Sequence, residues 1–337
     1  MNNGICKTAS NNRCVLTVPA VILMLVAPAW AHSPLFPRSN NSLQFAYSIR
    51  DPLKSWAAYS ELSEPGDTAF YQMEAQTGDR IRIMLFTAQD PKLSKFLPSI
   101  RVMKPGAINP GENMPAERVL ASQEGRIPAR ATYEPFTSTW YYQLANIDVT
   151  APESNIYQFM ISESANRNGR YGVVVGYKEQ WTLWELVLLP MSILKIYLWE
   201  GQNFFVVLLP VVLVSLIGAL LFMKRASRGK PPKGFPQWFA AFSGLFFLGW
   251  IAIIVLQMLL AFRHTGASTH AFITAIVVLI SALLATITLI FALGVRERIT
   301  FIWRIALFVA GCFALVLYAG MFAGPVLALA AALMPQK

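Results

Sequence analysis

Cysteine is almost missing from this chain. There are three, Cys6, Cys14 and Cys312. The first two fall in an N-terminal targeting stretch and the third in an apolar run. The region between them therefore has no disulfide framework, no Cys-x-x-Cys redox pair and no thiolate set for zinc or an iron–sulfur cluster. Histidine is as scarce, with only His32, His264 and His270. No histidine lies in 33–180, so a Ser-His-Asp mechanism there is unavailable. Gly-x-Ser-x-Gly, His-Glu-x-x-His, a phosphate-binding loop and a dinucleotide fingerprint are all absent. Charged residues make up 14% of the chain, and the long apolar runs carry almost none. A pump or proton relay places ionisable groups at membrane depth, and none is seen there.

What is present is apolar sequence, 55% of the whole, concentrated after residue 181. Between two such runs lies Lys224-Arg225-Ala226-Ser227-Arg228-Gly229-Lys230-Pro231-Pro232-Lys233, a short loop with basic residues and no acid. Such loops stay cytoplasmic, which places everything before residue 200 outside. The formal charge of +10 is not a nucleic-acid signature. Residues 32–180 hold 15 Lys/Arg and 15 Asp/Glu, and the excess sits beside the apolar runs, at 224–233 and 296–304. This is topology charge, with attraction to anionic lipid as a secondary effect.

Residues 1–31 read as a signal peptide. Lys7 and Arg13 give the positive start, Val15–Ala27 the apolar centre, and Ala29-Trp30-Ala31 the small-x-small cleavage site. Cleavage there makes His32 the first residue of the mature chain. An N-terminal histidine offers an amine and a ring nitrogen, a pair that chelates copper when further ligands are near. His264 and His270 share one outer loop, and the three histidines form the weak candidate metal set.

From 33 to 180 the pattern is strand and turn. Leu43–Ile49 alternates with period two, Trp56–Leu62 and Ala69–Ala75 follow, and Arg80–Phe86 sets Ile81, Ile83 and Leu85 on one face. Phe96–Met103 gives a short strand. Residues 105–135 are rich in Pro, Gly, Asn and Glu and read as a long surface loop. Trp140–Leu144, Ile156–Ile161 and Tyr171–Tyr177 complete an expected antiparallel β-sandwich. The run of Pro65-Gly66-Asp67, Phe70-Tyr71, Gly78-Asp79-Arg80-Ile81-Arg82-Ile83 and the closing Asn168–Gly176 resembles the bacterial pre-peptidase C-terminal type of β-sandwich domain. The likeness covers about residues 40–178. It implies a non-catalytic accessory or surface-binding module and carries over no metal ligand. The membrane half resembles no family known to us.

Residues 181–201 are apolar, divided by Pro190 and bracketed by Trp181, Trp184 and Trp199. They fit an interfacial helix better than a span. Four spans follow in 202–334: Phe204–Met223, Phe239–Phe262, Phe272–Leu293 and Ile305–Met334, the last broken at Pro325. The expected architecture is thus a signal peptide (1–31), an exported all-β antiparallel sandwich (32–180), an interfacial helix (181–201) and a four-helix membrane domain. Both ends of the mature chain lie outside.

The functional expectation is a non-enzymatic membrane accessory or assembly subunit. Its sandwich binds a protein or surface partner, it has no nucleic-acid partner, and it carries no cofactor. Two other classes stay open. One is a small-solute or metal transporter component. The other is a membrane-bound metal or redox enzyme subunit, with His32, His264 and His270 converging on copper or zinc.

Overall fold

A computed structural model describes residues 32–105, 119–232, 234–294 and 301–334. Residues 1–31, expected as a leader, Arg296 and Arg298 of the second basic loop, residues 106–118 of the Pro/Gly-rich stretch and the last three residues lie outside the described residues.

The first half forms eleven strands among the described residues: β1 (Ser33–Leu35), β2 (Tyr47–Ile49), β3 (Trp56–Leu62), β4 (Thr68–Ala75), β5 (Arg80–Thr87), β6 (Ser99–Met103), β7 (Val119–Gln123), β8 (Thr132–Glu134), β9 (Thr139–Thr150), β10 (Asn155–Ser162) and β11 (Gly169–Val175). One sheet has the order β1-β3-β11-β5-β9-β8 and the other β2-β4-β10-β6-β7. The antiparallel expectation needs correction, because the sheets are mixed. β1 runs parallel to β3, and β2 parallel to β4. Both are three-residue edge strands whose partners come many residues later, so no tight turn reverses their direction. Two further differences concern edges. Leu43–Phe45 is a 3-10 turn, and only Tyr47–Ile49 pairs. The Pro/Gly-rich stretch contains β7 and β8, each too short to show a period.

Alternation builds the core. Tyr71, Phe159, Tyr157 and Tyr171 are completely buried between the sheets. Each such large side chain contributes about 1.5–3 kcal/mol through burial. The three tyrosine hydroxyls need partners in a dry interior. Tyr71 and Tyr171 supply one another, oxygen to oxygen at 3.0 Å across the sandwich. The Tyr157 hydroxyl donates to the Glu153 carbonyl at 2.7 Å. On β5, Ile81, Ile83 and Leu85 join this core. The opposite face is not solvated throughout, because Met84 and Phe86 pack with Ala57, Val174 and Trp199 in a second cluster. That face of the six-stranded sheet is the one seated on the helices.

The helices begin with α1 (Leu183–Trp199), opened by a capping box. Thr182 Oγ1 accepts from Glu185 N at 3.2 Å, and Glu185 accepts from Thr182 N at 2.7 Å. α1 continues through Pro190, whose missing N–H leaves one carbonyl a turn earlier without its helical donor. α2 (Phe204–Ser227), α3 (Phe235–Thr265) and α4 (Ala271–Ala292) are long and apolar enough to cross a membrane. At 1.5 Å per residue each exceeds about 30 Å. α2 and α3 pack closely because Gly249 lies against the backbone of Val211, where a Cβ would come within 2.9 Å of Val211 Cα.

The last apolar run departs from the expected single span. It forms α5 (Phe301–Val316) and α6 (Ala323–Leu333), joined by a turn at 317–322. Tyr318, Gly320 and Met321 take left-handed φ values of 46°, 70° and 56° there. The two helices fold back on one another. Gly311 of α5 faces Leu329 of α6, and the Arg304 guanidinium donates to the Met334 carbonyl. Ala331 and Ala332 share a cluster with Phe222, Ala240, Ala292 and Leu307. The chain therefore returns to the end of the bundle that carries the 224–233 loop. The break precedes Pro325, which sits inside the first turn of α6 where a proline is tolerated.

Polar groups within the spans bridge elements more often than expected. Ser243 Oγ donates to the Gly324 carbonyl at 2.7 Å. Gln257 and Gln202 exchange amide hydrogen bonds at 2.6 and 2.9 Å. Thr286 and Thr288 do bond back to their own helix.

Candidate functional site

The seam between sandwich and helices is built from side chains contributed by both. The Tyr197 hydroxyl donates to the Thr137 carbonyl at 2.8 Å, and Trp199 Nε1 donates to the Ser60 carbonyl at 2.8 Å. Thr274 Oγ1 donates to the Pro135 carbonyl at 2.8 Å, which leaves its oxygen to accept from the Tyr133 hydroxyl at 2.8 Å. The Lys54 ammonium meets both Glu185 carboxylate oxygens, at 2.6 and 2.8 Å. Burial alone would raise the Glu185 pKa, but the Lys54 and Thr182 hydrogen bonds outweigh it and the net shift is downward. His264 stacks on Trp140 with ring centres 4.2 Å apart.

Inside this seam is a chamber of about 600 Å³. Its roof is β8 and the turn after it, with Tyr133, Glu134 and Phe136, together with Tyr141 and His32. One wall is the first part of α4, from His270 to Ser281, and the floor is Leu317-Tyr318-Ala319 in the α5–α6 turn. The chamber exists because that hairpin turns back early. A smaller void of about 30 Å³ adjoins it, sharing His32, Glu134 and Tyr141 and adding Glu200, Thr139 and Trp140.

The electrostatics of the shared wall are unusual. Burial lifts the Glu134 carboxyl to about 7, opposed by the Phe136 N–H and aided by Glu179. Burial lifts Glu200 to about 8, opposed by bonds from Thr139 and Gln202 and aided by Glu134. Burial, with help from Arg82, depresses His32 to about 4. All three keep some surface, and all three line the smaller void. At pH 7 His32 is neutral, Glu200 is mostly protonated and Glu134 is about half ionised, and displaced pKa values in a cavity of this kind mark a functional-site candidate.

Of the three histidines read from the sequence, the fold brings two together: His32 and His270 line the chamber. His32 Nδ1 lies 2.6 Å from Ser55 Oγ. His264 is held elsewhere, on Trp140 and 3.4 Å from the Tyr142 hydroxyl. Among the described residues no three His, Cys, Asp or Glu side chains group closely enough to hold a metal ion. Sequence reasoning missed Glu134, Glu200, Tyr141, Tyr318 and Ser281. The one usable signal was Tyr133-Glu134-Pro135-Phe136, a carboxylate between aromatic residues.

No family model matches this chain, and no curated protein matches it. Among solved structures, CorA, described as a surface-associated copper-binding protein important in Methylomicrobium album BG8 copper acquisition, aligns over 44% of this chain and 99% of its own. The identity is 13% and the TM-score 0.22. A second, pT26-6p, covers 83% of this chain and 49% of its own at 7% identity and TM-score 0.13. Likenesses this slight carry no argument about fold or function.

Proposed function

We propose that this chain is a non-enzymatic integral membrane accessory or assembly protein. Its sandwich is held on the extracytoplasmic side and binds a protein or surface partner. A cleaved leader at 1–31 exports the sandwich, α2 to α4 cross the bilayer, and α1 lies at its outer surface. The α5–α6 hairpin enters and returns, which brings residue 334 back to the side of the 224–233 loop. The basic loop at 224–233 sets the orientation.

The observation that carries this reading is the seam. Its hydrogen bonds and the Lys54–Glu185 pair fix the sandwich on the helices as a platform rather than a tethered domain. The five-stranded sheet presents Gln72, Glu74, Ile156 and Gln158 away from the core, outside the seam. α2 is the helix left most open, with 17% of its apolar window buried against 44% for α3, which offers a lateral face to lipid or a second subunit. The resemblance of residues 40–178 to non-catalytic sandwich domains supports the same reading.

Cysteine placed at Ser227 and at Ser268 tests the topology, with labelling from outside expected only at Ser268. Mild-detergent purification with mass spectrometry tests the function. A stoichiometric membrane or exported partner is expected, and recovery as a lone monomer under every condition would overturn the proposal.

A further inference from the structure

We infer that the chamber between the sandwich and the α5–α6 turn is a binding site for one uncharged amphiphile, a molecule with an apolar body and hydrogen-bonding oxygen. Three observations carry this. First, size: about 600 Å³ equals the liquid volume of about 20 water molecules, within the range of small-ligand sites. Second, the lining is segregated. Ile273, Ile276, Val277 and Ile280 make an apolar wall on α4, while Glu134, Tyr141 and His32 lie on the sandwich side. Water needs two to four polar partners, and the α4 wall offers it almost none. Third, the lining is built from distant parts of the chain, β8 and the turn after it, the first turns of α4 and the α5–α6 turn, so the cavity belongs to the packed fold rather than to one loose loop.

No Lys or Arg side chain lines the chamber. With Glu134 lifted and His32 depressed by burial, the wall suits a neutral molecule whose oxygen accepts from, or donates to, these groups. Irregular backbone is tolerated where it lines a cavity, and Tyr318 in the floor takes a left-handed φ of 46°.

The probe is an octanol carrying a diazirine, added to the full chain in lipid nanodiscs and mapped by peptide mass spectrometry. Saturable labelling is expected within Phe272–Ser281 and at Leu317–Ala319. Ile280→Trp projects a large ring into the chamber from the α4 wall and should lower that labelling severalfold. Val277→Phe, a smaller change, should lower it in the same direction if Ile280→Trp misfolds. Extraction of polymer-bounded native membranes separates the sources. A stoichiometric neutral lipid present in the wild type and lost with Ile280→Trp assigns the ligand to the bilayer. An empty wild type that still takes the probe assigns it to the outer aqueous phase. Unsaturable labelling spread over the lipid face of α2, or labelling unchanged in both variants, would overturn the inference.

Discussion

Raising the pH should destabilise this protein through the chamber wall. Glu134 and Glu200 titrate near 4.5 in an ordinary setting and at about 7 and about 8 in the fold. Folded values above unfolded ones mean that the folded state holds the extra protons. The stability is therefore complete below about pH 4.5 and is lost as pH rises through 7 and then 8. At 1.36 kcal/mol per unit, Glu134 alone accounts for about 3 kcal/mol and Glu200 alone for about 5 kcal/mol. Each carboxylate adds to the cost of ionising the other, so the two figures do not sum. The assay is thermal unfolding of the full chain in nanodiscs from pH 5 to 9, followed by tryptophan fluorescence, since Trp140 and Trp199 stand in the same wall. Glu134→Gln keeps the shape and the acceptor for the Phe136 N–H while removing the charge. It should flatten the alkaline decline, and Glu134→Gln with Glu200→Gln should nearly abolish it. A protonated-carboxyl infrared band at pH 6.5, absent from the double variant, checks the protonation directly. A wild-type midpoint that does not move between pH 6 and 9, or a single variant that declines as steeply as the wild type, would refute the reasoning.

Two other outcomes follow from the same seam. Lys54→Ala leaves Glu185 partly buried without its cation, and should cost about 2–3 kcal/mol, read as a lower unfolding midpoint and faster proteolysis in 176–182. The lowered Glu185 pKa means that the clamp's stabilisation is present above the ordinary glutamate value and is lost as pH falls through the folded one. An unchanged midpoint at pH 8 would show the pair to be idle. Elemental analysis of the purified chain should find no stoichiometric transition metal, and replacing His32, His264 and His270 together should leave folding and assembly intact. One copper per chain, lost with His32→Gln, would move the assignment to metal handling.

The sequence by itself determined what depends on composition and local period. Alternation at Arg80–Phe86 placed Ile81, Ile83 and Leu85 in the core, because side chains on a strand repeat every two residues. Uninterrupted apolar length announced α2, α3 and α4, and the Pro65-Gly66-Asp67 and Gly78-Asp79 turns fell where their backbone preferences required. Tertiary structure decided everything that depends on distant residues meeting. Parallel pairing of β1 and β2 leaves no local mark, since the partner strand arrives many residues later. The hairpin at 317–322 is hidden because α5 and α6 are as apolar as a continuous span. Contacts such as those of Gly311 with Leu329 and of Arg304 with Met334 reveal the reversal. That reversal opens the chamber. It brings residue 318 beneath residue 134 and sets His32 and His270 in one cavity while His264 stays outside it. A carboxylate in a polar, proline-containing stretch reads as solvated surface, and Glu134 became a buried, titrating wall only because a membrane helix and a returning turn were packed beneath it.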